Sequence, residues 1–204
     1  MKRILVTGFE PFGASLVNPS EQVVRRLRDL SIPGLDLATV VLPVERTFAG
    51  LAMVEAVERI LPQVVLCLGE GTRRSVVSVE RIAVNLMDYR IPDNQGNQVT
   101  DLPVVAGGPA AYFSTLPVRK ILEKIILAEV PAELSLSAGS FLCNQVMYEV
   151  LHYIAVHQLS ILAGFIHLPS LPEQAAASNQ PVPSMGLETS LIGIVAALSA
   201  ILEG

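Results

Sequence analysis

Four short and nearly uninterrupted apolar runs recur along the chain: RILVT (3–7), LDLATVVLPV (35–44), VVLCLG (64–69) and SILAGFIHLP (160–169). A run of aliphatic and β-branched residues without polar alternation marks a strand buried on both faces, because every side chain must meet a core. Helix-like stretches lie between the runs. Parallel strands need such crossovers, so the pattern favours a mostly parallel sheet with helices packed on both sides.

The connecting segments fit that scheme. A helix with Ser20 as N-cap runs through EQVVRRLRDL to the breaker Pro33-Gly34, and Thr47–Leu61 is amphipathic and stopped by Pro62. Pro117 to Ala128 reads as a helix with proline in its first turn, LSLS (134–137) as a strand, and Phe141 to His157 as a helix. A last helix occupies Ser184 to Leu202. The middle is less regular. Val79 to Asn85 is strand-like, Pro92-Asp93-Asn94 and Gly96 mark a turn-rich loop, 101–116 is irregular, and 170–183 is a loop rich in Ala, Ser, Pro and Gln.

Composition narrows the classes. The 204 residues suit one domain, 1–204, and show no internal repeat or compositional break. Hydrophobic residues make up 51% and charged ones 16%, where about 25% charged is usual. Such a chain buries more surface than most, in a thick core or between subunits. A formal charge of −5 without a Lys/Arg cluster argues against a nucleic-acid partner. Two cysteines, Cys67 and Cys143, make no disulfide framework. MKRILVTGF reads as a strand rather than a signal peptide, and LIGIVAALSAIL is too short to span a bilayer. The expectation is a cytoplasmic α/β domain with no membrane partner. No HExxH-like spacing is present, and the glycines at 8, 13 and 139 form no phosphate cradle. Neither a metal nor a cofactor is expected.

Parallel sheets gather ligands at the carboxyl ends of their strands. The residues there are Phe9, Phe12 and Asn18, then Glu70, the loop near Arg90, the turn Ser137 to Cys143, and His167. Cys143 reads either as a small packing residue or as a thiol presented at a helix start. The strand–turn–helix context favours presentation, since free N–H groups and the helix dipole lower a thiol pKa and hold an oxyanion. Cys67, mid-strand between leucines, reads as core. His152 and His157 lie late in the helix that begins near Cys143, turns away from the thiol, and read as packing or surface residues, whereas His167 ends a strand. Glu80 is either one half of a surface pair or a buried carboxylate partnered by His167 or Arg81. Phe9, Phe12 and Phe141 are core plugs or the walls of a flat apolar pocket with Asn18 as its polar handle.

Taken in order, VTGFEPFG with NPS at 18–20, VERIAVN (79–85), RIPDNQG (90–96), LPVR (116–119), SAGSFLCN (137–144), GFIHLP (164–169) and PSMGLE (183–188) resemble the pyroglutamyl-peptidase I, or pyrrolidone-carboxylate peptidase, family along the whole chain. The resemblance implies a three-layer α/β/α sandwich with a mixed, mainly parallel sheet. It also implies a cysteine exopeptidase acting on peptides with N-terminal pyroglutamate. Its roles fall on Cys143 as nucleophile, His167 as base and Glu80 as the residue orienting His167. Arg90 and the Cys143 N–H fall near the oxyanion, and Phe9, Phe12, Asn18, Glu70 and Phe141 fall around the substrate. It implies a homo-oligomer, commonly a tetramer. One departure concerns GEGTRRS (69–75), where Glu70 stands in place of an uncharged residue. If its carboxylate enters the pocket it weakens lactam binding; if only its backbone is used, nothing changes. The alternatives are another cysteine amidase of small lactams or amides, and an inactive binding protein of the same fold.

Overall fold

In the computed structural model, which describes residues 1–203, the apolar runs become neighbouring strands. The chain order is β1 (Lys2–Phe9), α1 (Pro19–Arg28), β2 (Leu35–Leu42), α2 (Arg46–Ile60), β3 (Val64–Glu70), β4 (Val77–Glu80), β5 (Ile82–Val84), β6 (Ala111–Phe113), α3 (Val118–Leu127), β7 (Ala132–Ser135), α4 (Leu142–Val156), β8 (Leu162–Leu168), α5 (Pro172–Ala177) and α6 (Leu187–Glu203). Six strands form one sheet in the order β2-β1-β3-β8-β4-β7, and β5 and β6 form a separate ribbon. Only the β4–β8 pairing is antiparallel within the large sheet, which makes it mixed and mainly parallel.

Strand alternation sorts the side chains into two cores, one on each face. Ile4, Val6, Leu66, Leu68 and Ile166 pack with α1, α3 and α6. Leu5, Val65, Cys67, Ala163 and Phe165 pack with α2 and α4. Each fully buried aliphatic side chain contributes roughly 1.5–3 kcal/mol of transfer free energy, so two such cores explain the high apolar content. The architecture is the three-layer sandwich expected.

Several local expectations are corrected. The cap of α1 is Asn18, whose side-chain oxygen accepts from the Ser20 N–H at 3.0 Å. Pro19 occupies the first turn, and a cap must precede it. The strand expected over Val79–Asn85 divides at Arg81, whose N–H donates to Ser135 while its carbonyl accepts from Ser114. The chain there leaves the large sheet for the ribbon. The irregular stretch 101–116 contains β6, and the loop 170–183 contains the short helix α5. The strand expected at 134–137 sits two residues earlier, as β7.

Candidate active site

Alternation also decides which side chains meet. On β8 the residues facing α4 are Ala163 and Phe165, and the next in that series is His167. On β4, Val77 and Val79 belong to the opposite core, which leaves Ser78 and Glu80 facing α4. The antiparallel register sets Ser78 against His167 and Glu80 against Phe165. Glu80 and His167 are therefore diagonal neighbours on one face, within reach of long side chains. His167 Nδ1 lies 2.8 Å from Glu80 Oε1, with Glu80 wholly buried and His167 4% exposed. A carboxylate only accepts, so Nδ1 carries the proton and Nε2 is left as an acceptor.

Arg74 is the second partner of Glu80. Its Nη2 lies 2.8 Å from Glu80 Oε1 and also donates to the Ser137 carbonyl at 2.8 Å. Arg81, the partner considered from the sequence, is not used. Adjacent residues of an extended chain point to opposite faces, and that rule alone separates Arg81 from Glu80.

Cys143 stands in the first turn of α4, after a turn in which Gly139 has φ 81°, a left-handed conformation suited to glycine. Asn144 fastens this turn to the ribbon by accepting from the Val84 N–H and donating to the Val84 and Leu86 carbonyls. No side chain caps the helix, whereas Asn18 caps α1 and Glu45 caps α2. The first N–H groups of α4 thus remain available to a ligand. The thiol lies over Gly69, the register neighbour of His167 on β3. A Cβ at Gly69 would stand 2.8 Å from Cys143 Sγ and 2.7 Å from Phe165 Cζ, so only glycine admits the sulfur there.

The electrostatics correct one expectation. Burial pushes the Cys143 thiol up to about 12, with Glu80 and Glu70 adding to the shift and Arg74 opposing it. Withdrawal from water is the largest of these causes. Burial likewise holds the His167 ring below its ordinary 6.5, against the pull of Glu80. At neutral pH the pair rests as thiol and neutral imidazole.

Cys143 and His167 line one cavity of about 170 Å³, walled by Phe9, Phe12 and Phe141 and reached by Asn18, Glu70 and Arg90. All the residues read from the sequence converge here, with Glu80 directly behind His167. Phe141 packs edge-on to Tyr89 at 4.6 Å and lies 6.1 Å from Phe12. The Phe9 N–H donates to Ser20 Oγ at 2.9 Å, which fixes that wall. Tyr89 donates to Gln145 on α4 and so anchors the loop carrying Arg90. Asn18 spends its oxygen on Ser20 and one amide hydrogen on the Glu10 carbonyl, leaving one hydrogen free. The Glu70 carboxylate is tied down by Ser170 at 2.7 Å and by Gln174 at 3.0 Å. Arg74, Gly69, Ser20 and Gln174 were missed by sequence reasoning. Only Gly69, a glycine closing a buried strand, carried a visible signal.

His152 bonds Tyr112, and His157 is exposed, both away from this cavity. Among the described residues no group of three His, Cys, Asp or Glu side chains converges as metal ligands do. No helix among them is long and apolar enough to cross a membrane.

A thiol beside a histidine–carboxylate pair, at the carboxyl edge of an α/β/α sheet, defines the class as a cysteine-type hydrolase. Comparison with known proteins places the chain within it. A family model described as Pyroglutamyl peptidase matches residues 2–204, and the chain belongs to that family. It is 45% identical to a pyrrolidone-carboxylate peptidase of Coprothermobacter proteolyticus over 100% of this chain and 99% of the relative. It is 47% identical to one of Gloeobacter violaceus over 94% and 93%. Among solved structures, a mutant pyrrolidone carboxyl peptidase of Pyrococcus furiosus superposes with a TM-score of 0.95 at 42% identity, covering 98% of both chains. Pyroglutamyl peptidase I of Bacillus amyloliquefaciens superposes with a TM-score of 0.96 at 34% identity, covering 100% of this chain and 98% of that one.

Proposed function

We propose that this protein, as a single catalytic domain, hydrolyses the bond after an N-terminal pyroglutamyl residue of peptides. The observation that carries the reading is the buried 2.8 Å contact of Glu80 and His167, with His167 and Cys143 opening into one aromatic cavity. His167 Nε2 takes the proton of the Cys143 thiol as sulfur attacks the lactam-bearing carbonyl, and Glu80 stabilises the imidazolium that forms. The first-turn N–H of Cys143 and the Arg90 guanidinium receive the oxyanion. His167 then returns the proton to the departing amine, and the C–N bond breaks to leave a thioester. Water, deprotonated by His167, releases pyroglutamate and restores the thiol.

A resting pair of neutral thiol and neutral imidazole suits this concerted transfer, because charge appears only as the bond forms. Pyroglutamate is a flat, uncharged ring. Phe9, Phe12 and Phe141 enclose it, while the free Asn18 hydrogen and the backbone at Glu70 meet its amide. A free amino terminus would bring an unpaired ammonium into the same apolar slot and is rejected. The tethering of the Glu70 carboxylate to Ser170 and Gln174 supports use of the Glu70 backbone rather than its charge.

Release of a chromogenic amine from a pyroglutamyl amide tests the reading. Activity is expected in the parent, is lost on thiol alkylation or in Cys143→Ala and Cys143→Ser, and survives chelators. Full activity in Cys143→Ala overturns it. We further propose a cytoplasmic homo-oligomer, a tetramer, in which exposed Phe48, Phe113 and Leu136 supply apolar contact surface. Light scattering in solution measures the subunit number.

A further inference from the structure

The motif GEGTRRS places two adjacent arginines, Arg73 and Arg74, directly after β3, and the function above uses neither to bind substrate. His167 lines two spaces. One is the aromatic cavity; the other is an open depression of about 480 Å³ whose rim includes Arg73, Arg74, Arg90 and the turn Ser137–Gly139. A neighbouring groove floored by Glu70 and Gln174 does not include His167. In the proposed reaction the departing nitrogen must sit against His167, because His167 protonates it. With the acyl ring held in the aromatic cavity, the chain beyond the scissile bond leaves across the arginine-rimmed depression.

The charges there are unequal. Arg74 is engaged by buried Glu80 and has Glu133 of β7 at 3.8 Å. Arg73 and Arg90 are exposed and form no ion pair with the described residues. No aspartate or glutamate lines the depression. With Arg90 turned to the oxyanion, Arg73 is the guanidinium on this rim left without an ion-pair partner or a role in the reaction, and it attracts an anion and repels a cation.

Resting on the function proposed above, we infer that this depression receives the residue following pyroglutamate and selects an acidic side chain there, with Arg73 as a specificity-determining residue. Three amidated dipeptides test this: pyroglutamyl-Asp-NH2, pyroglutamyl-Ala-NH2 and pyroglutamyl-Lys-NH2, assayed for kcat/KM at low and high salt. At low salt the Asp substrate is expected to exceed the Lys substrate about tenfold, and the gap closes at high salt as screening grows. Arg73→Gln lowers the Asp substrate about threefold and leaves the Ala substrate within about twofold, the size expected of an exposed pair. Arg73→Lys restores most of the preference. Equal turnover of all three substrates, a preference for Lys, or an equal effect of Arg73→Gln on all three overturns the inference while leaving the peptidase reading intact. Failure to hydrolyse any of them, the Ala substrate included, overturns both.

Discussion

Cys67 and Cys143 carry the same side chain, belong to the same core beneath α2 and α4, and are both pushed by burial up to about 12. Cys67 is sealed in the middle of β3, with Thr7 and Phe165 as its register neighbours. Cys143 is partly exposed, stands over a glycine, opens an uncapped helix and shares a cavity with His167. Thiol acidity therefore does not separate the two. Access and a base held in the right tautomer do, and in the proposed reaction the Cys143 thiol attacks as its proton passes to His167.

The largest expected contrast comes from deleting each sulfur. Cys143→Ala is expected to lower kcat by about 10⁴-fold with little change in stability. Cys67→Ala is expected to leave kcat within about twofold and to cost about 1–2 kcal/mol for the small void it opens, read from chemical denaturation. Loss of activity in Cys67→Ala, with its fold intact, would break the comparison.

Glu80→Gln comes next, with kcat reduced about 10²–10⁴-fold and KM little changed, because an amide stabilises imidazolium poorly and permits the wrong tautomer. Its pH profile carries the sign. The Glu80 carboxylate raises the His167 pKa, so removing its charge lowers that pKa further. The acid limb of kcat/KM in the parent is expected below 6.5 and should move to still lower pH in the variant. A shift to higher pH would contradict the assigned pair.

Gly69→Ala sharpens the geometry. A methyl 2.8 Å from Cys143 Sγ displaces the thiol, with kcat reduced about tenfold by misplacement and about 1–3 kcal/mol of overpacking. The smallest effect is kinetic. Iodoacetamide alkylation of Cys143 is expected to accelerate steadily from about pH 7 to about pH 10, because the resting thiol is protonated. Cys67 should react only after unfolding.

The layers of the fold were legible because apolar runs report burial directly, and β1, β3 and β8 lie where those runs are. The split at Arg81 left only a faint mark, two polar residues side by side at Glu80 and Arg81 where alternation slips by one, and a single slip does not tell a bulge from a change of sheet. Cys143, His167 and Glu80 were legible as strand-end or helix-start chemistry. Arg74 was not, because nothing in TRRS tells which arginine turns inward toward Glu80, six residues later. The raised pKa of Cys143 was also hidden. The helix terminus is local and visible in the sequence, whereas the burial that raises the pKa is made by other elements, Gly69 of β3 and Phe165 of β8 among them.

The central claim is that Cys143, and not Cys67, carries the acyl group. Rapid acid quenching of the enzyme during turnover of a pyroglutamyl amide, followed by mass analysis of its peptides, measures this directly. The expected result is the added mass of one pyroglutamyl group on the peptide containing Cys143, removed by hydroxylamine and absent from the peptide containing Cys67. Acylation of any other residue, or undiminished turnover in Cys143→Ala, would contradict it.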